Sequence, residues 1–314
     1  MAEIVVTRNL PVELITPLRE LGDVVMWPGD DPMPAGRLRE AVADARGLLC
    51  MLTDRIDAGV LDSAPRLEVV SQMAVGVDNI DVAECRRRSI RVGYTPGVLT
   101  ETVADTAFAL LAAVVRRLPE GERAVRGGSW GPWAPFWMTG GDLHGMTLGI
   151  VGMGRVGAAV ARRAAGFEME ILYSSPHSTG PGRRVEMEEL LEKSDAVMLC
   201  ARLTDETRGL IGARELGAMR NDAYLVNVAR GEMVVTDALV EALAAGEIAG
   251  AALDVTDPEP LPVDHPLLAF PNCLVTPHIA SASTATRRAM AELAVANLVA
   301  GLRGETMPAE LPDE

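Results

Sequence analysis

Three ionisable residues follow three apolar runs in the second half of the chain. Arg230 follows YLVNVA, Glu259 follows AALDVTDP and His278 follows CLVTP. The runs are predicted strands, and in open α/β sheets ligands bind at the carboxyl edge of the strands. Taken alone, the histidine could have a purely structural role in a hydrogen bond, and the arginine could be the partner of a salt bridge. Their joint placement on one predicted edge favours a binding or catalytic site.

A glycine-rich turn lies upstream of these residues. The hexapeptide GMGRVG follows the apolar run LGIV and opens the predicted helix RVGAAVARRAAGF. In this context Gly152 permits a tight turn, Gly154 lets the backbone approach a pyrophosphate, and Gly157 allows close packing of helix and strand. The free N–H groups at the helix start are suited to phosphate. The motif predicts a dinucleotide site.

The next predicted strand ends without the acid that binds the ribose 2′-hydroxyl in NAD-specific sites. Ser174 and Ser175 occupy that place, and hydroxyls do not repel a 2′-phosphate. Arg155, Arg183 and Arg184 offer positive charge, although the last two residues also fit a solvated loop pair. We therefore expect NADP(H) to be favoured, with NAD(H) possible.

The elements that position these residues alternate along the chain between strands and helices. The predicted strands are 3–7, 47–51, 67–71, 147–151, 170–173, 196–200, 224–227, 251–254 and 273–276, and the predicted helices include 12–21, 36–45, 101–117 and 283–303. Such βαβ alternation predicts an α/β protein with two doubly wound parallel sheets, six strands in the second. We expect a discontinuous domain of residues 1–99 and 283–314, and a dinucleotide-binding domain of residues 100–282.

Composition excludes several classes of partner. The chain has 314 residues, 29 of them basic and 44 acidic, and a net charge of −15. Such a charge argues against nucleic acid or an anionic membrane as a partner. No apolar run reaches the about 20 residues of a membrane span, and no signal peptide is recognisable. Four scattered cysteines and four histidines without metal-site spacing predict a cytoplasmic protein with reduced thiols and no metal.

Residues 126–145 interrupt the pattern with glycine, proline and three of the four tryptophans, Trp130, Trp133 and Trp137. Either the rings pack onto their own domain, or they contact a second subunit, because buried aromatic residues anchor interfaces.

Motifs along nearly the whole chain resemble the D-isomer-specific 2-hydroxyacid dehydrogenases, and within them the glyoxylate/hydroxypyruvate reductases. The matching stretches are SQMAVGVDNID, IRVGYTPGVLTETVADTAFALL, GIVGMGRVGAAVARR, NVARGEMV, ALDVTDPEPLP, VDHPLL, TPHIASAS and GLRGETMPAEL. The resemblance implies a Rossmann coenzyme domain inserted in a flavodoxin-like substrate domain. It also implies a homodimer formed through the coenzyme domains, with 126–145 as the dimerisation loop.

The resemblance also assigns roles to residues. It implies that Arg230 binds the substrate carboxylate and polarises the 2-oxo group, that His278 is the general acid, and that Glu259 hydrogen-bonds the imidazole. Backbone N–H groups of Val75 and Gly76 are expected to hold the carboxylate, and Leu52 and Ser281 to line the pocket. The implied cofactor contacts are Thr106, Gly152, Met153, Gly154, Arg155, Val156, Gly157, Ser174, Ser175, His177, Ala201, Arg202, Val228, Ala229, Arg230, Asp254 and His278.

The implied reaction is NAD(P)H-dependent reduction of glyoxylate or hydroxypyruvate to glycolate or D-glycerate. Hydride transfer to a ketone leaves an alkoxide, which requires a positioned acid, and a neighbouring carboxylate favours the imidazolium form. Two alternatives stay open: another substrate of the family (phosphoglycerate, phosphite or a bulkier 2-oxo acid), and a non-catalytic, corepressor-like nucleotide sensor. The chain departs from related NADPH-dependent reductases at Pro176, where those commonly carry an arginine.

Overall fold

The computed structural model describes residues 3–176 and 178–312 and divides the chain into two compact units. The discontinuous unit comprises Met1–Leu99 and Ser283–Glu314, and the central unit is Thr100–Ala282.

The discontinuous unit contains a five-stranded parallel sheet. Its strands are β1 (Ile4–Val6), β2 (Val24–Met26), β3 (Gly47–Cys50), β4 (Val69–Gln72) and β5 (Arg91–Gly93), and its helices are α1 (Val12–Arg19), α2 (Ala35–Ala41), α3 (Ala58–Asp62), α4 (Val82–Arg87) and α11 (Thr284–Leu302). The strand order β2-β1-β3-β4-β5 is the flavodoxin-like order. Both faces are buried, because Val5 belongs to one apolar cluster and its neighbours Ile4 and Val6 to another.

The central unit contains a seven-stranded parallel sheet. Its strands are β6 (Thr147–Val151), β7 (Glu170–Ser174), β8 (Arg183–Arg184), β9 (Ala196–Leu199), β10 (Tyr224–Asn227), β11 (Gly250–Leu253) and β12 (Cys273–Val275), and its helices are α5 (Thr100–Val115), α6 (Leu118–Arg126), α7 (Arg155–Ala165), α8 (Met187–Lys193), α9 (Ala213–Ala218) and α10 (Thr236–Ala245). The order β8-β7-β6-β9-β10-β11-β12 is the Rossmann order with one strand added at the β12 edge. The predicted fold class is confirmed.

The prediction of six strands in this sheet is wrong by one. The additional strand, β8, pairs with Leu172–Tyr173 of β7 and consists of two exposed arginines. A strand without an apolar residue leaves no hydrophobic pattern to detect.

The predicted helix over residues 101–117 is Thr100–Val115 in the structure. It ends because Arg117 adopts a left-handed conformation with φ of 52°, and α6 follows directly. Within the central unit α5 packs on α7 and on the strands β10 and β11. It covers one face of the sheet that carries the glycine turn.

The aromatic segment after α6 leaves its rings exposed. Trp133 is 85% exposed, Phe136 86% and Trp130 67%, whereas Trp137 is 45% exposed. The interpretation that these rings pack onto their own domain therefore does not describe the structure. The four cysteines, Cys50, Cys85, Cys200 and Cys273, are free thiols. In the described part of the chain, no helix is long and apolar enough to cross a membrane.

Candidate active site

The glycine turn joins β6 to α7 at the carboxyl edge of the central sheet. Gly152 has a φ of 94°, and a Cβ there would lie 2.6 Å from the Cα of Ala201. A Cβ on Gly157 would lie 2.3 Å from the carbonyl oxygen of Gly152. Both positions therefore exclude a side chain. A Cβ on Gly154 would meet no atom within 4 Å, so open space lies above the N-cap of α7. That space and the free N–H groups of the helix start fit a dinucleotide pyrophosphate.

The residues after β7 form the expected ribose end of this site. Ser174 is half-buried, and Ser175 is buried with 7% exposure. Of the two neighbouring arginines, Arg183 is ion-paired with Glu189 of α8 at 2.8 Å. Arg184 instead donates to the carbonyl oxygen of Pro176 at 3.2 Å, so its guanidinium lies where β7 ends. The predicted cofactor contact His177 lies outside the described residues.

Arg230 follows β10 in a turn that a buried amide holds. The Oδ1 of Asn227 accepts from the N–H of Ala229 at 3.0 Å, and its Nδ2 donates to the carbonyl oxygen of Arg230 at 2.8 Å. Asn227 is 1% exposed. The guanidinium of Arg230 donates to the carbonyl oxygen of Ala229 at 2.9 Å, and the Arg230 side chain is half-buried. The hydrogen bonds of Asn227 therefore hold the backbone that carries the Arg230 guanidinium.

Glu259 and His278 form a hydrogen-bonded pair, although 19 residues separate them. The distance from His278 Nδ1 to Glu259 Oε1 is 2.6 Å. The other carboxylate oxygen of Glu259 accepts from the N–H of Thr256 at 3.3 Å. Because the pair uses Nδ1, the nitrogen left to meet a ligand is Nε2, which has no hydrogen-bond partner among residues 3–176 and 178–312.

Glu259 is held as a carboxylate. Burial raises the pKa of its carboxyl, but the hydrogen bond and the charge of His278 oppose that effect. The N–H of Thr256 and the charge of Arg230 lower the pKa further, so that the net pKa of Glu259 lies below its ordinary value. The Glu259 carboxylate therefore places a negative charge 2.6 Å from Nδ1 of His278.

Asp254 holds the loop that carries His278. Its carboxylate is 1% exposed and accepts from Thr276 Oγ1 at 2.6 Å, Ile279 N–H at 2.9 Å and Ala280 N–H at 2.7 Å. The N–H of His278 donates to the carbonyl oxygen of Asp254 at 2.9 Å. His278 itself has a φ of 53°, an unfavourable conformation that persists only where surrounding contacts determine it. The bonds to Asp254 supply those contacts.

A close backbone approach joins the Arg230 turn to the segment that carries Glu259. A Cβ on Gly231 would lie 2.0 Å from the carbonyl carbon and oxygen of Thr256. Only glycine fits there, and the glycine fixes the spacing of the two segments.

The remaining predicted contacts of the central unit border the same sheet edge. Thr106 Oγ1 donates to the carbonyl oxygen of Ala280 at 3.1 Å, which ties α5 to the His278 loop. Arg202 is exposed, Ser281 is 9% exposed, and Met153 is 2% exposed. The half-buried members of the set are Val156, Ala201, Val228 and Ala229, and Arg155 is exposed at the first turn of α7.

In the discontinuous unit, Leu52 follows β3, and Val75 and Gly76 follow β4. Val75 is 41% exposed, and Leu52 and Gly76 are half-buried. In the described chain the N–H groups of Val75 and Gly76 donate to no carbonyl oxygen of the backbone. Two successive N–H groups without backbone partners are suited to an anion.

Sequence reasoning missed the polar residues that hold these turns: Asn227, Thr256, Gln72 and Asn79. The only sequence signal was the asparagine at a predicted strand end, since asparagine often bonds the backbone two residues further on. Most of their partners are backbone carbonyl oxygens and N–H groups, which leave no pattern in a sequence. The site thus combines a cation, a carboxylate–imidazole pair and an open phosphate turn, which can bind a small anion and transfer a proton.

The comparisons with known proteins agree with this arrangement. Residues 108–280 match the family model described as D-isomer specific 2-hydroxyacid dehydrogenase, NAD binding domain. The chain is 43% identical over 321 residues to the human glyoxylate reductase/hydroxypyruvate reductase, covering 99% of this chain and 98% of the relative.

Two solved structures show the same fold over the full length. The crystal structure of the TT0316 protein from Thermus thermophilus has a TM-score of 0.93 and 48% identity, covering 98% of this chain and 99% of that one. A NADPH-dependent glyoxylate/hydroxypyruvate reductase from Sinorhizobium meliloti, in complex with NADP and malonate, has a TM-score of 0.85 and 34% identity, covering 99% of this chain and 96% of that one. The chain belongs to the D-isomer specific 2-hydroxyacid dehydrogenase family and is an oxidoreductase.

Proposed function

We propose that this protein reduces small 2-oxo acids, glyoxylate and hydroxypyruvate, to glycolate and D-glycerate with NAD(P)H. The observation that carries the proposal is the 2.6 Å bond between His278 Nδ1 and Glu259 Oε1, with the charge of Arg230 acting on the same carboxylate. The human relative is named a glyoxylate reductase/hydroxypyruvate reductase, which supports the substrate class.

In the proposed reaction the side chains act on a bound oxo acid. Arg230 binds the carboxylate and polarises the oxo group, since a guanidinium matches a planar carboxylate. Reduced nicotinamide supplies the hydride when it is bound. The proton on Nε2 of His278 goes to the carbonyl oxygen, so that the C=O bond becomes an alcohol and the imidazolium becomes neutral. Glu259 stabilises the imidazolium, and in the reverse direction neutral His278 is the base.

We further propose that the N–H groups of Val75 and Gly76 donate hydrogen bonds to the substrate carboxylate, and that Leu52 and Ser281 border it. The lack of backbone partners for these two N–H groups supports this role. The guanidinium of Arg230 also attracts an anion locally, against the net charge of −15.

For the cofactor, we propose the glycine turn as the pyrophosphate site and a preference for NADP(H). Ser174, Ala201, Val228 and the other predicted contacts then border the nucleotide. The hydrogen bond from Arg184 to the end of β7 supports Arg184 as the cation for the 2′-phosphate, whereas Arg183 is engaged by Glu189.

Replacing Arg184 tests this assignment. A charge-assisted hydrogen bond contributes about 1.5–3 kcal/mol, and the low end applies to an exposed side chain. Arg184→Ala is therefore expected to raise the KM for NADPH about tenfold and to leave the KM for NADH unchanged, as measured by steady-state kinetics. Arg183→Ala is the matched control and should change neither value. Equal effects of Arg184→Ala on both cofactors would refute the assignment.

A substrate panel tests the function itself. Glyoxylate and hydroxypyruvate, each with NADH and NADPH, are compared with 3-phosphoglycerate, phosphite and a bulkier 2-oxo acid. We expect the highest kcat/KM for one of the two small oxo acids with NADPH. A higher kcat/KM for another substrate would replace the proposed one, and cofactor binding without turnover of any compound would favour the corepressor-like role.

We also propose a homodimer formed through residues 126–145 of the coenzyme domain. The exposure of Trp130, Trp133 and Phe136 in the single chain supports it, because such rings are typical of interface anchors. Sedimentation equilibrium should give twice the chain mass of 33.3 kDa. A monomer at micromolar concentration would refute the proposal. The cytoplasmic location stays a prediction from the sequence.

A further inference from the structure

Two amide side chains lie beneath the Val75–Gly76 turn of the discontinuous unit. Gln72, the last residue of β4, is 0% exposed, and its Nε2 donates to the carbonyl oxygen of Gly76 at 3.2 Å. The same Nε2 donates to Oδ1 of Asn79 at 2.6 Å. The turn that is proposed to bind the substrate carboxylate is therefore held by buried amide hydrogen bonds.

The second amide extends the contact to the loop after β3. Asn79 Nδ2 donates to the carbonyl oxygens of Met51 and Asp54, at 3.1 Å and 2.7 Å. These two residues flank Leu52. Gln72 and Asn79 therefore join the loop that carries Leu52 to the turn that carries Gly76. They lie between the β3–β4 pairing, which ends at Cys50 and Gln72, and the bridge between Ile56 and Ile80.

Further side-chain contacts hold the same segments. Oε1 of Gln72 accepts from the thiol of Cys50 at 3.1 Å, which sets the orientation of its amide. The buried carboxylate of Asp54 accepts from the N–H of Met51 at 2.8 Å and from the guanidinium of Arg8 at 3.0 Å. The amide pair thus joins the two loops at the point where backbone pairing between them is interrupted.

Amides suit this place because their N–H donors meet backbone carbonyl oxygens. An apolar pair of the same size would leave the carbonyl oxygens of Met51, Asp54 and Gly76 without these donors, and buried carbonyl oxygens without donors are costly. Neither amide titrates, so the link does not change with pH in the physiological range.

We propose that Gln72 and Asn79 are positioning residues that set the distance between Leu52 and the N–H groups of Val75 and Gly76, and thereby the affinity for the oxo-acid carboxylate. The inference rests on the proposed function. It concerns binding of the substrate and not proton transfer, because the amides do not titrate and contact the turn that is proposed to bind the carboxylate.

Gln72→Met tests the inference, since methionine keeps the length and volume of the side chain and removes its donors. We expect the KM for glyoxylate and hydroxypyruvate to rise about tenfold, which corresponds to about 1.4 kcal/mol. The kcat should stay within about threefold of the wild-type value. The Kd of NADPH, measured by fluorescence, should be unchanged.

Asn297→Leu is the matched control. Asn297 is a fully buried amide of the same unit that donates to the carbonyl oxygen of Tyr94 at 2.9 Å and accepts from the N–H of Ala309 at 2.8 Å. Its loss should lower the melting temperature without raising KM. Should Gln72→Met not fold, Asn79→Ser, in a half-buried loop position, is measured in its place with the same expectation.

The outcomes separate this inference from the proposed function. Wild-type turnover of an oxo acid with an unchanged KM in Gln72→Met would overturn the positioning role alone, as would a fall in kcat at constant KM. Wild-type protein that reduces neither oxo acid would overturn both.

Discussion

Replacing Glu259 by glutamine removes one charge from the site and keeps the shape of the side chain. A hydrogen bond between charged groups contributes about 1.5–3 kcal/mol. The His278 and Glu259 side chains are 24% and 35% exposed, so solvent screening favours the low end, about 1.5–2 kcal/mol. At about 1.4 kcal/mol for each factor of ten, kcat/KM for hydroxypyruvate is expected to fall about 10- to 30-fold.

The assay is steady-state oxidation of NADPH at pH 7, with melting temperatures measured in parallel. Glu310→Gln is the matched control, because Glu310 forms a 2.6 Å ion pair with Arg91 at similar exposures of 37% and 30%. The control should lose stability to a similar extent and keep its kcat/KM. An unchanged kcat/KM in Glu259→Gln would refute the view that this carboxylate supports the imidazolium during turnover.

Glycine substitutions and the pH dependence of stability test the same geometry. Gly154→Ala should keep the melting temperature and lose affinity for NADPH, because the added methyl group occupies the open space of the phosphate turn. Gly157→Ala should unfold at a lower temperature, because its Cβ would lie 2.3 Å from the carbonyl oxygen of Gly152. Similar melting temperatures in the two variants would contradict this prediction. Gly231→Ala should lose about 1–3 kcal/mol of stability by overpacking and lower kcat, measured by denaturant unfolding and kinetics, while Gly217→Ala, with nothing within 4 Å, should do neither. The pKa of Glu259 is lowered in the folded protein, so this group stabilises the fold above its unfolded pKa of about 4.3, and the stabilisation is lost as the pH falls through the folded pKa. Between about pH 5 and pH 3, the melting temperature of the wild type should therefore fall further than that of Glu259→Gln. Parallel curves of melting temperature against pH would contradict this prediction.

The sequence predicted the fold class because apolar runs of four or five residues recur with helical segments between them. Strands β6 and β10 lie within their predicted bounds, Thr147–Val151 and Tyr224–Asn227. Strands β2 and β5 were not among the predicted strands, because each has only three residues, and three residues carry no periodicity.

The candidate site was predictable to the level of residue types. Arg230, Glu259 and His278 were located by their places after strands and by resemblance, and the bond between the last two is a structural finding. The hydrogen bonds that the Asp254 carboxylate accepts were not predictable. Its predicted contact with the cofactor stays a prediction, and the structure shows that three donors of the His278 loop bind its carboxylate. Such side-chain-to-backbone bonds depend on turn geometry, which a single sequence does not specify.

The central claim is that His278 donates a proton to a bound oxo acid. The most direct measurement is single-turnover reduction of glyoxylate by His278→Ala with saturating NADPH, together with the Kd of NADPH. General acid catalysis contributes about 10²- to 10⁴-fold, so the rate should fall at least about 100-fold. The Kd of NADPH should stay within about twofold of the wild-type value, which corresponds to a change in binding free energy of at most about 0.4 kcal/mol. A rate within a few-fold of wild type would contradict the claim.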